Sequence, residues 1–332
     1  MKPELVTLAA QDADPAVTCD RGISLVPADE RRMHSPDRTL LLVERGSLVA
    51  RCSCWWSATA SMHGSRTGVI GHYAAADANA GEALLSAACG MLASSGVATA
   101  IGPMDGSTWR RYRFIVDRGT EPSFFLEPDH PDEWPDEWRR AGFTPLSTYT
   151  SAVSDTLEFE DARTSAALER LRNDGVAIRP LEPARIDAEL KRIFSLSTAA
   201  FAQNFLYTPI AEAEFLAQYQ AILPYVRPNL VLLAEKNDAL VGFIFALPDL
   251  LQARRGEPME TVILKTVAVD PSLSRMGLGG ALMDLVQRRA RDMGMRRAIH
   301  ALMHETNASR RISDRSARTF RRYALFSKQL SA

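Results

Sequence analysis

The sequence predicts an α/β protein made of two related halves. The segment from Thr261 to Gly294 has the pattern of a strand, a glycine-rich loop and a helix. A strand–helix–strand pattern with similar spacing precedes it by 198 residues, between Gly68 and Ile101. A length of 332 residues with 46% hydrophobic residues suffices for two globular domains of ordinary size.

Composition excludes several classes of protein. The longest apolar runs have the length of strands, so no membrane span is expected. The N-terminus has early acidic residues and no apolar segment typical of a signal peptide. The four cysteines form no metal-binding spacing, and Cys52 and Cys54 are expected to be buried thiols on one face of a strand. We therefore expect a cytoplasmic protein without a metal site.

The elements of the N-terminal half follow from apolar alternation and from turn residues. Residues 1–38 are expected to be loosely held, with one short strand. The predicted elements are a strand near Ile23–Val26, a hairpin from Thr39 that turns at Arg45-Gly46, a strand at Gly68–Ala75, a helix over 80–95, a strand at Val97–Ile101 and a closing strand at Thr148–Val153.

The C-terminal half continues with alternating helices and strands. The predicted elements are a connecting helix at Leu157–Asn173, a strand at Val176–Pro180, helices at Ile186–Phe201 and Ala211–Leu223, a hairpin of Leu230–Glu235 and Leu240–Leu247, and strands at Val262–Val269, Arg297–Met303 and Arg318–Lys328.

A gapless alignment of the two halves predicts a duplicated unit. At an offset of 198 residues, Gly96 aligns with Gly294, and Val69 aligns with Val267. The copies differ around the loop. Asn79 replaces Gly277, Glu82 replaces Gly280, and Asp77 takes the place of Arg275. Acidic side chains repel an anion, so the N-terminal copy is expected to be degenerate as a phosphate site.

The loop at Gly277, Gly279 and Gly280 has the chemistry of a phosphate cradle. Glycines let the backbone approach an anion, and the free N–H groups of a first helical turn point at it. The residues Ala281-Leu282 after the last glycine exclude a Walker loop, which needs Lys-Ser/Thr there. The dinucleotide-binding fingerprint is also incomplete.

The run Val-Ala-Val-Asp-Pro-x-x-x-Arg-x-Gly-x-Gly-Gly-Ala-Leu from Val267 to Leu282 resembles the acyl-CoA-binding signature of the GNAT N-acyltransferases. The resemblance extends along nearly the whole chain to tandem GNAT proteins and implies two mixed, twisted sheets flanked by helices. The implied domains are residues 1–155 and 175–332, joined by a connecting helix at 156–174. Only the second would bind acetyl-CoA or another acyl-CoA. The implied CoA-binding residues are Val267, Ala268, Val269, Ser274, Arg275, Met276, Gly277, Leu278, Gly279, Gly280 and Asn307.

The resemblance also implies where the chemistry takes place. The acyl thioester of the family sits where the strand before the loop splays from the next one, and a tyrosine nearby protonates the leaving thiolate. That tyrosine position falls on Ser313 here, so Ser313 or a water would serve as the acid. His304 and Glu305 follow the splayed strand and are candidate bases, although a histidine there could equally be structural.

Three residues are candidates for contact with the acceptor. Asn204 and Tyr207 lie in the segment that overlies the acceptor site in the family, although Thr208-Pro209 on its own predicts a helix N-terminus. Lys265 lies within an apolar strand and would need a carboxylate partner, or it would shape an acceptor site for an acidic group.

Two functions remain open at this stage. The first is transfer of an acyl group from acyl-CoA to the amine of a small molecule or peptide. The second is a CoA-binding regulatory or scaffold protein without transfer activity. Arg275 to Lys328 contains thirteen basic and four acidic residues, which would suit CoA phosphates, nucleic acid or a solvated face. Because the segment has few aromatic residues, nucleic acid is not the expected partner.

Overall fold

A computed structural model describes residues 3–62, 64–158 and 162–331. The N-terminal half contains β1 (Glu4–Leu8), α1 (Ala28–His34), β2 (Arg38–Glu44), β3 (Ser47–Trp55), β4 (Thr67–Ala75), α2 (Ala78–Ser94), β5 (Thr99–Gly102), β6 (Phe114–Asp117), α3 (Trp134–Arg140) and β7 (Thr144–Ser154). The C-terminal half contains α4 (Ala162–Asn173), β8 (Ala177–Pro180), α5 (Ile186–Phe201), α6 (Glu212–Gln220), β9 (Val231–Lys236), β10 (Ala239–Pro248), α7 (Leu250–Arg254), β11 (Thr261–Val269), α8 (Leu278–Asp292), β12 (Arg297–His304), α9 (Ala308–Ser313) and β13 (Arg318–Gln329).

All the strands belong to one mixed sheet, which the two halves share. Its order is β1-β2-β3-β4-β5-β13-β7-β12-β11-β10-β9-β8, with β6 beside β13. The closing strands are exchanged: β7 pairs with β12, and β13 pairs with β5. The α/β class and the mixed strand pairing agree with the prediction, but the two sheets that it implied are joined into one. The domain limits at 155 and 175 remain a prediction. Because of these two strand pairings, backbone hydrogen bonds join the two halves.

In each half an amphipathic helix that follows the first parallel strand packs on the sheet. Leu84, Ala88 and Leu92 of α2 are buried against the N-terminal strands, and Leu282 and Val286 of α8 against the C-terminal ones. These residues recur at steps of three or four along the helix, which places them on one face. The loops that precede α2 and α8 start at the C-terminal ends of β4 and β11.

The parallel strand pairs show how the two halves correspond. Thr67 pairs with Thr99 in the first half, and Thr261 pairs with Arg297 in the second. Thr67 and Thr261 are 194 residues apart, whereas Thr99 and Arg297 are 198 apart, so the C-terminal half has four more residues between its two parallel strands. The alignment of the two halves at a constant offset of 198 residues is therefore wrong for β4 and β11, which correspond at an offset of 194. An even shift preserves the alternation of side chains, so the sequence pattern does not reveal it.

The N-terminal lead-in differs from its prediction. The segment Ile23–Val26 forms no strand, and the first strand is Glu4–Leu8, antiparallel to β2. An edge strand gains its hydrogen bonds from a neighbour, which local sequence does not specify. Cys52 and Cys54 are buried, as expected.

The basic C-terminal segment meets an acidic segment of the N-terminal half. Arg297 and Arg318 contact Glu121 at 3.1 and 2.7 Å. Arg321 and Glu127 form a fully buried pair at 3.1 Å. Part of the basic charge therefore neutralises carboxylates of the same chain, a role that the sequence analysis did not consider.

None of the helices in the described parts of the chain combines the length and apolar composition that a membrane span requires.

Candidate active site

The strands β11 and β12 separate halfway along their length. Thr261–Leu264 pairs with Arg297–His300, and beyond these four pairs the strands diverge. Leu302 has a left-handed φ of 59°, and the register between β12 and β7 shifts between His300 and Met303. A bulge of this kind bends a strand. The result is a gap in the sheet centre, open from Lys265 onwards.

Two cavities meet in this gap. A splay cavity of about 150 Å³ lies between the diverging strands, with Met283 of α8 on its wall. A central cavity of about 1010 Å³ lies between the two halves. Five residues line both cavities: Phe201, Lys265, Thr266, Leu302 and Asn307. The two cavities are therefore adjacent at the gap, on either side of these five residues.

The glycine loop connects β11 to α8. Gly277 has a φ of 83° and directly precedes the helix, whose first backbone bond runs from Ala281 N to Gly277 O. A Cβ atom at Gly279 or Gly280 would come no closer than 3.7 or 4.0 Å to another side chain. Packing within the protein therefore does not require these two glycines, whereas close approach of an anion to the backbone would.

The predicted CoA-binding residues lie along this path. Ala268 is buried, and Ser274 and Arg275 are exposed at the loop. Leu278 is fully buried beneath Gly242, so only its backbone can face a ligand. Val267 lines the splay cavity. The other predicted positions are Val269 at the end of β11, Met276 in the loop, and Asn307 before α9.

The three predicted catalytic residues are not brought together. His304 lines the central cavity and lies between Ser147 Oγ and Thr306 Oγ1, each 2.8 Å from a ring nitrogen. Glu305 is exposed, accepts a hydrogen bond from Thr148 and lines neither cavity. Ser313 is buried and also lines neither cavity.

The three predicted acceptor residues all line the central cavity. Tyr207 packs against Trp109, with ring centroids 5.9 Å apart. Lys265 donates a hydrogen bond from Nζ to Leu126 O at 3.0 Å, so its direct partner is a carbonyl rather than the expected carboxylate. Burial lowers the pKa of Lys265 to about 7, and the charge of Arg113 acts in the same direction.

Comparison with known proteins identifies the C-terminal part. Residues 191–312 match the model of the acetyltransferase (GNAT) family. This part of the chain is a GNAT domain. The prediction of GNAT membership is therefore confirmed. A search of curated protein sequences returns no significant match.

Solved structures extend the similarity of fold beyond the GNAT domain. A protein of unknown function from Enterococcus faecalis V583, described as a probable N-acyltransferase, has 9% identity and a TM-score of 0.55 over 99% of this chain and 73% of that chain. A tandem GNAT protein from the clavulanic acid biosynthesis pathway has 13% identity and a TM-score of 0.51, covering 100% and 99%.

A third structure is the GCN5-related glucosamine N-acetyltransferase region of a fungal multi-domain GH3 beta-N-acetylglucosaminidase. It has 12% identity and a TM-score of 0.53 over 91% of this chain, which spans about a third (34%) of that chain. At these identities the similarity shows the fold alone. The full chain has the fold of a tandem GNAT protein.

The N-terminal half contributes a wall of the site that the sequence analysis missed. Arg113 lies over the rings of Tyr112 and Tyr149, with its guanidinium carbon 3.9 and 4.2 Å from their centroids. Its Nη1 donates to Leu302 O at 3.3 Å, at the bulge of the GNAT domain. The sequence has aromatic residues between Trp109 and Phe114, but only the fold shows which part of the other half this segment contacts.

His300 of the GNAT domain is another residue that sequence reasoning missed. It lines the splay cavity and is 2% exposed. Among the described residues, neither of its ring nitrogens has a hydrogen-bond partner. Burial lowers its pKa to about 4, so the ring is neutral near pH 7. A buried polar group without a partner is costly, so these nitrogens are available to a ligand or an ordered water in the splay cavity.

Proposed function

We propose that this protein transfers an acyl group, in the simplest case acetyl, from acyl-CoA to the amine of an acceptor bound in the central cavity. The observation that carries the proposal is the meeting of the splay cavity and the central cavity at Lys265 and Asn307. The GNAT match supports acyl transfer, and the free N–H groups at the start of α8 support a site for the CoA pyrophosphate.

The reaction requires a small set of groups. The acceptor nitrogen attacks the thioester carbonyl, a C–N bond forms, and the C–S bond breaks. A base takes the ammonium proton, and the leaving thiolate takes a proton from an acid or from water. Backbone N–H groups near Val267–Val269 are proposed to polarise the carbonyl, as donors aimed at a developing oxyanion do.

Lys265 is the base that the geometry supports best. It lines both cavities at the gap, and with a pKa of about 7 a large fraction of its amine is neutral at physiological pH. His304 remains the competing candidate. Its Nδ1 accepts from Thr306 N at 3.2 Å, which leaves Nε2 to donate to Ser147 Oγ. Both nitrogens of the ring are thus occupied, and His304 must break a hydrogen bond to accept a proton.

The alternative is a CoA-binding regulatory or scaffold protein without transfer activity. The observation in its favour is the position of Ser313, which stands where the family tyrosine is expected and lines neither cavity. An enzyme would then need water or another group as the acid.

Turnover and binding together separate the functions. Calorimetry measures acetyl-CoA binding, and release of free thiol is followed over a panel of amino acids, polyamines, aminoglycosides and peptides. Thiol release that depends on one acceptor class supports transfer. Binding of acetyl-CoA without thiol release for any acceptor contradicts transfer and supports the alternative. Filter binding to DNA serves as the control for a nucleic-acid role.

A further inference from the structure

The end of the central cavity formed by the N-terminal half contains three metal-ligating side chains. Glu30 and His34 are four residues apart on α1, so their side chains share one face of the helix. His72 projects towards them from β4. His34 Nδ1 lies 2.8 Å from His72 Nε2, and Glu30 Oε1 lies 3.9 Å from both nitrogens. All three residues line the cavity.

We propose that Glu30, His34 and His72 bind one divalent transition-metal ion of the zinc type, with an open coordination position towards the central cavity. A triangle with sides of 2.8, 3.9 and 3.9 Å has a circumradius of about 2.1 Å. This radius equals the usual length of a bond from zinc to an imidazole nitrogen or a carboxylate oxygen, about 2.0–2.2 Å. A single ion can therefore reach all three atoms at bonding distance.

Only a small adjustment is needed for tetrahedral geometry. At these bond lengths two ligand atoms of a tetrahedral zinc are about 3.3 Å apart. The two histidine nitrogens must therefore separate by about 0.5 Å, while the carboxylate approaches. The side chain of Glu30 is 44% exposed, so it can make this movement.

The position of His72 is determined by a strained strand. Arg51 pairs with Ala74 and Ser53 with Gly71, so β4 has one extra residue opposite β3. At this bulge His72 adopts a φ of 49°, which is unfavourable for a side chain other than glycine. Strain of this kind is typical of residues held for a function. The bulge turns the imidazole towards α1.

Neighbouring groups orient the ring of His72. Its backbone N–H donates to Asp105 Oδ1 at 2.5 Å, and its Nδ1 is 3.0 Å from Ser53 Oγ. Ser53 Oγ in turn contacts Thr39 Oγ1 at 2.8 Å. If Nδ1–H donates to Ser53, the lone pair of Nε2 faces His34 and Glu30. Hydrogen bonds from the second ring nitrogen are the usual support of a metal-binding histidine.

The charges around the cluster are compatible with a cation. The side chains of His34 and His72 are only 12% and 2% exposed, and burial favours the neutral imidazole that binds a metal. Arg110 is held by Glu214, with contacts of 2.5 and 2.9 Å. The positive charge of the nearby Arg51 is offset by the carboxylates of Asp105 and Glu30, which raise its pKa against the effect of burial.

Two imidazoles and one carboxylate are the donor set of catalytic zinc sites, which keep a fourth position for water or substrate. In this protein that position would accept an oxygen atom, such as a carboxylate or hydroxyl, from a molecule in the central cavity. The proposal runs against the expectation of no metal, which rested on cysteine spacing. It does not depend on acyl transfer.

Cobalt spectroscopy on the full chain, without an affinity tag, tests the proposal. Protein dialysed against EDTA is titrated with Co²⁺, and visible d–d absorption reports a site of low coordination number. Zn²⁺ then competes for the site. We expect one Co²⁺ per chain. Glu30→Gln, His34→Asn and His72→Asn should each weaken binding by at least about tenfold, and Ser53→Ala by about tenfold through the lost support of His72.

The matched control is His130→Asn. His130 is a buried histidine of the same half that lines the same cavity outside the cluster. Circular dichroism establishes that each variant is folded. If His72→Asn does not fold, Glu30→Gln decides, because it changes a partly exposed side chain at constant shape. The proposal is overturned if no Co²⁺ or Zn²⁺ binds at micromolar concentration, or if binding survives Glu30→Gln and His34→Asn unchanged. The cluster would then have only a structural role, as a pair of hydrogen-bonded histidines.

Discussion

The two strand–loop–helix units of this protein have the same fold and differ where an anion would bind. In the C-terminal unit, eight residues from Asp270 to Gly277 separate β11 from α8. In the N-terminal unit only Ala76 and Asp77 separate β4 from α2. Asp77 Oδ1 accepts a hydrogen bond from Ala80 N at 2.9 Å and caps the helix with a carboxylate. A capped N-terminus with a negative charge excludes a phosphate.

The surroundings of α2 reinforce this difference. A Cβ atom at Gly81 would lie 2.4 Å from Tyr73 Oη and 2.8 Å from Glu137 Oε2. The glycine in the first turn of α2 thus serves the packing of α3, whereas a Cβ atom at Gly279 of α8 would only make an ordinary contact of 3.7 Å with Val269. Glycine thus occupies the equivalent positions 81 and 279 for two different reasons. A sequence alignment of glycines therefore does not by itself transfer a function.

The largest expected effect comes from closing the open loop. Gly279→Glu should reduce acetyl-CoA binding beyond detection in calorimetry, because a carboxylate enters the proposed pyrophosphate site. The wild-type chain should bind one acetyl-CoA. Gly90→Glu introduces the same side chain on an open surface of α2 and should leave binding unchanged. Two equal sites in the wild type would contradict the difference between the units.

The second effect concerns the base at the gap. Lys265→Met should lower turnover by about 10²- to 10⁴-fold with little change in acetyl-CoA affinity. Because the neutral amine is the active form, turnover of the wild type should rise with pH through about 7. Burial lowers the pKa of His304 from its ordinary value of 6.5, so a histidine base would place this rise at lower pH.

The variant His304→Asn tests whether the base is Lys265 or His304. We expect it to retain most of the activity and the rise near pH 7. If His304→Asn instead loses more than tenfold and Lys265→Met does not, the base is His304.

A smaller effect is expected in the splay cavity. His300→Phe replaces the imidazole by an apolar aromatic ring. We expect the two imidazole nitrogens of the wild type to hydrogen-bond the pantetheine arm. One net hydrogen bond contributes about 0.5–1.5 kcal/mol, so the KM for acetyl-CoA should rise by about two- to tenfold with kcat nearly constant. An unchanged KM would show that His300 has no contact with the donor.

The smallest effect concerns the N-terminal cap. Asp77→Ala should destabilise the protein by about 0.5–2 kcal/mol, measured as a lower midpoint of thermal unfolding. It should not create a second acetyl-CoA site, because the loop before α2 still has two residues instead of eight. Appearance of a second calorimetric site would mean that charge alone, and not loop length, disables this unit.

The local units can be derived from the amino-acid sequence alone. Alternating apolar residues predict the strands, and steps of three and four predict α2 and α8, because both periods reflect backbone geometry. The glycines from Gly277 to Gly280 predict the anion loop for the same local reason. The glycine-loop motif also predicts most of the residues of the proposed CoA-binding path. The predicted acceptor residues Asn204, Tyr207 and Lys265 all line the central cavity.

The way in which these units combine depends on long-range packing. A period-two pattern tells which face of a strand is buried but not which strand is its neighbour, so the exchange of β7 and β13 could not be derived. That exchange brings Arg113 and Leu126 to the gap beside Lys265. It follows that the pKa of Lys265 depends on burial by the other half. The pairing of His34 with His72 likewise depends on a strand bulge, a feature of packing between strands rather than of any one segment.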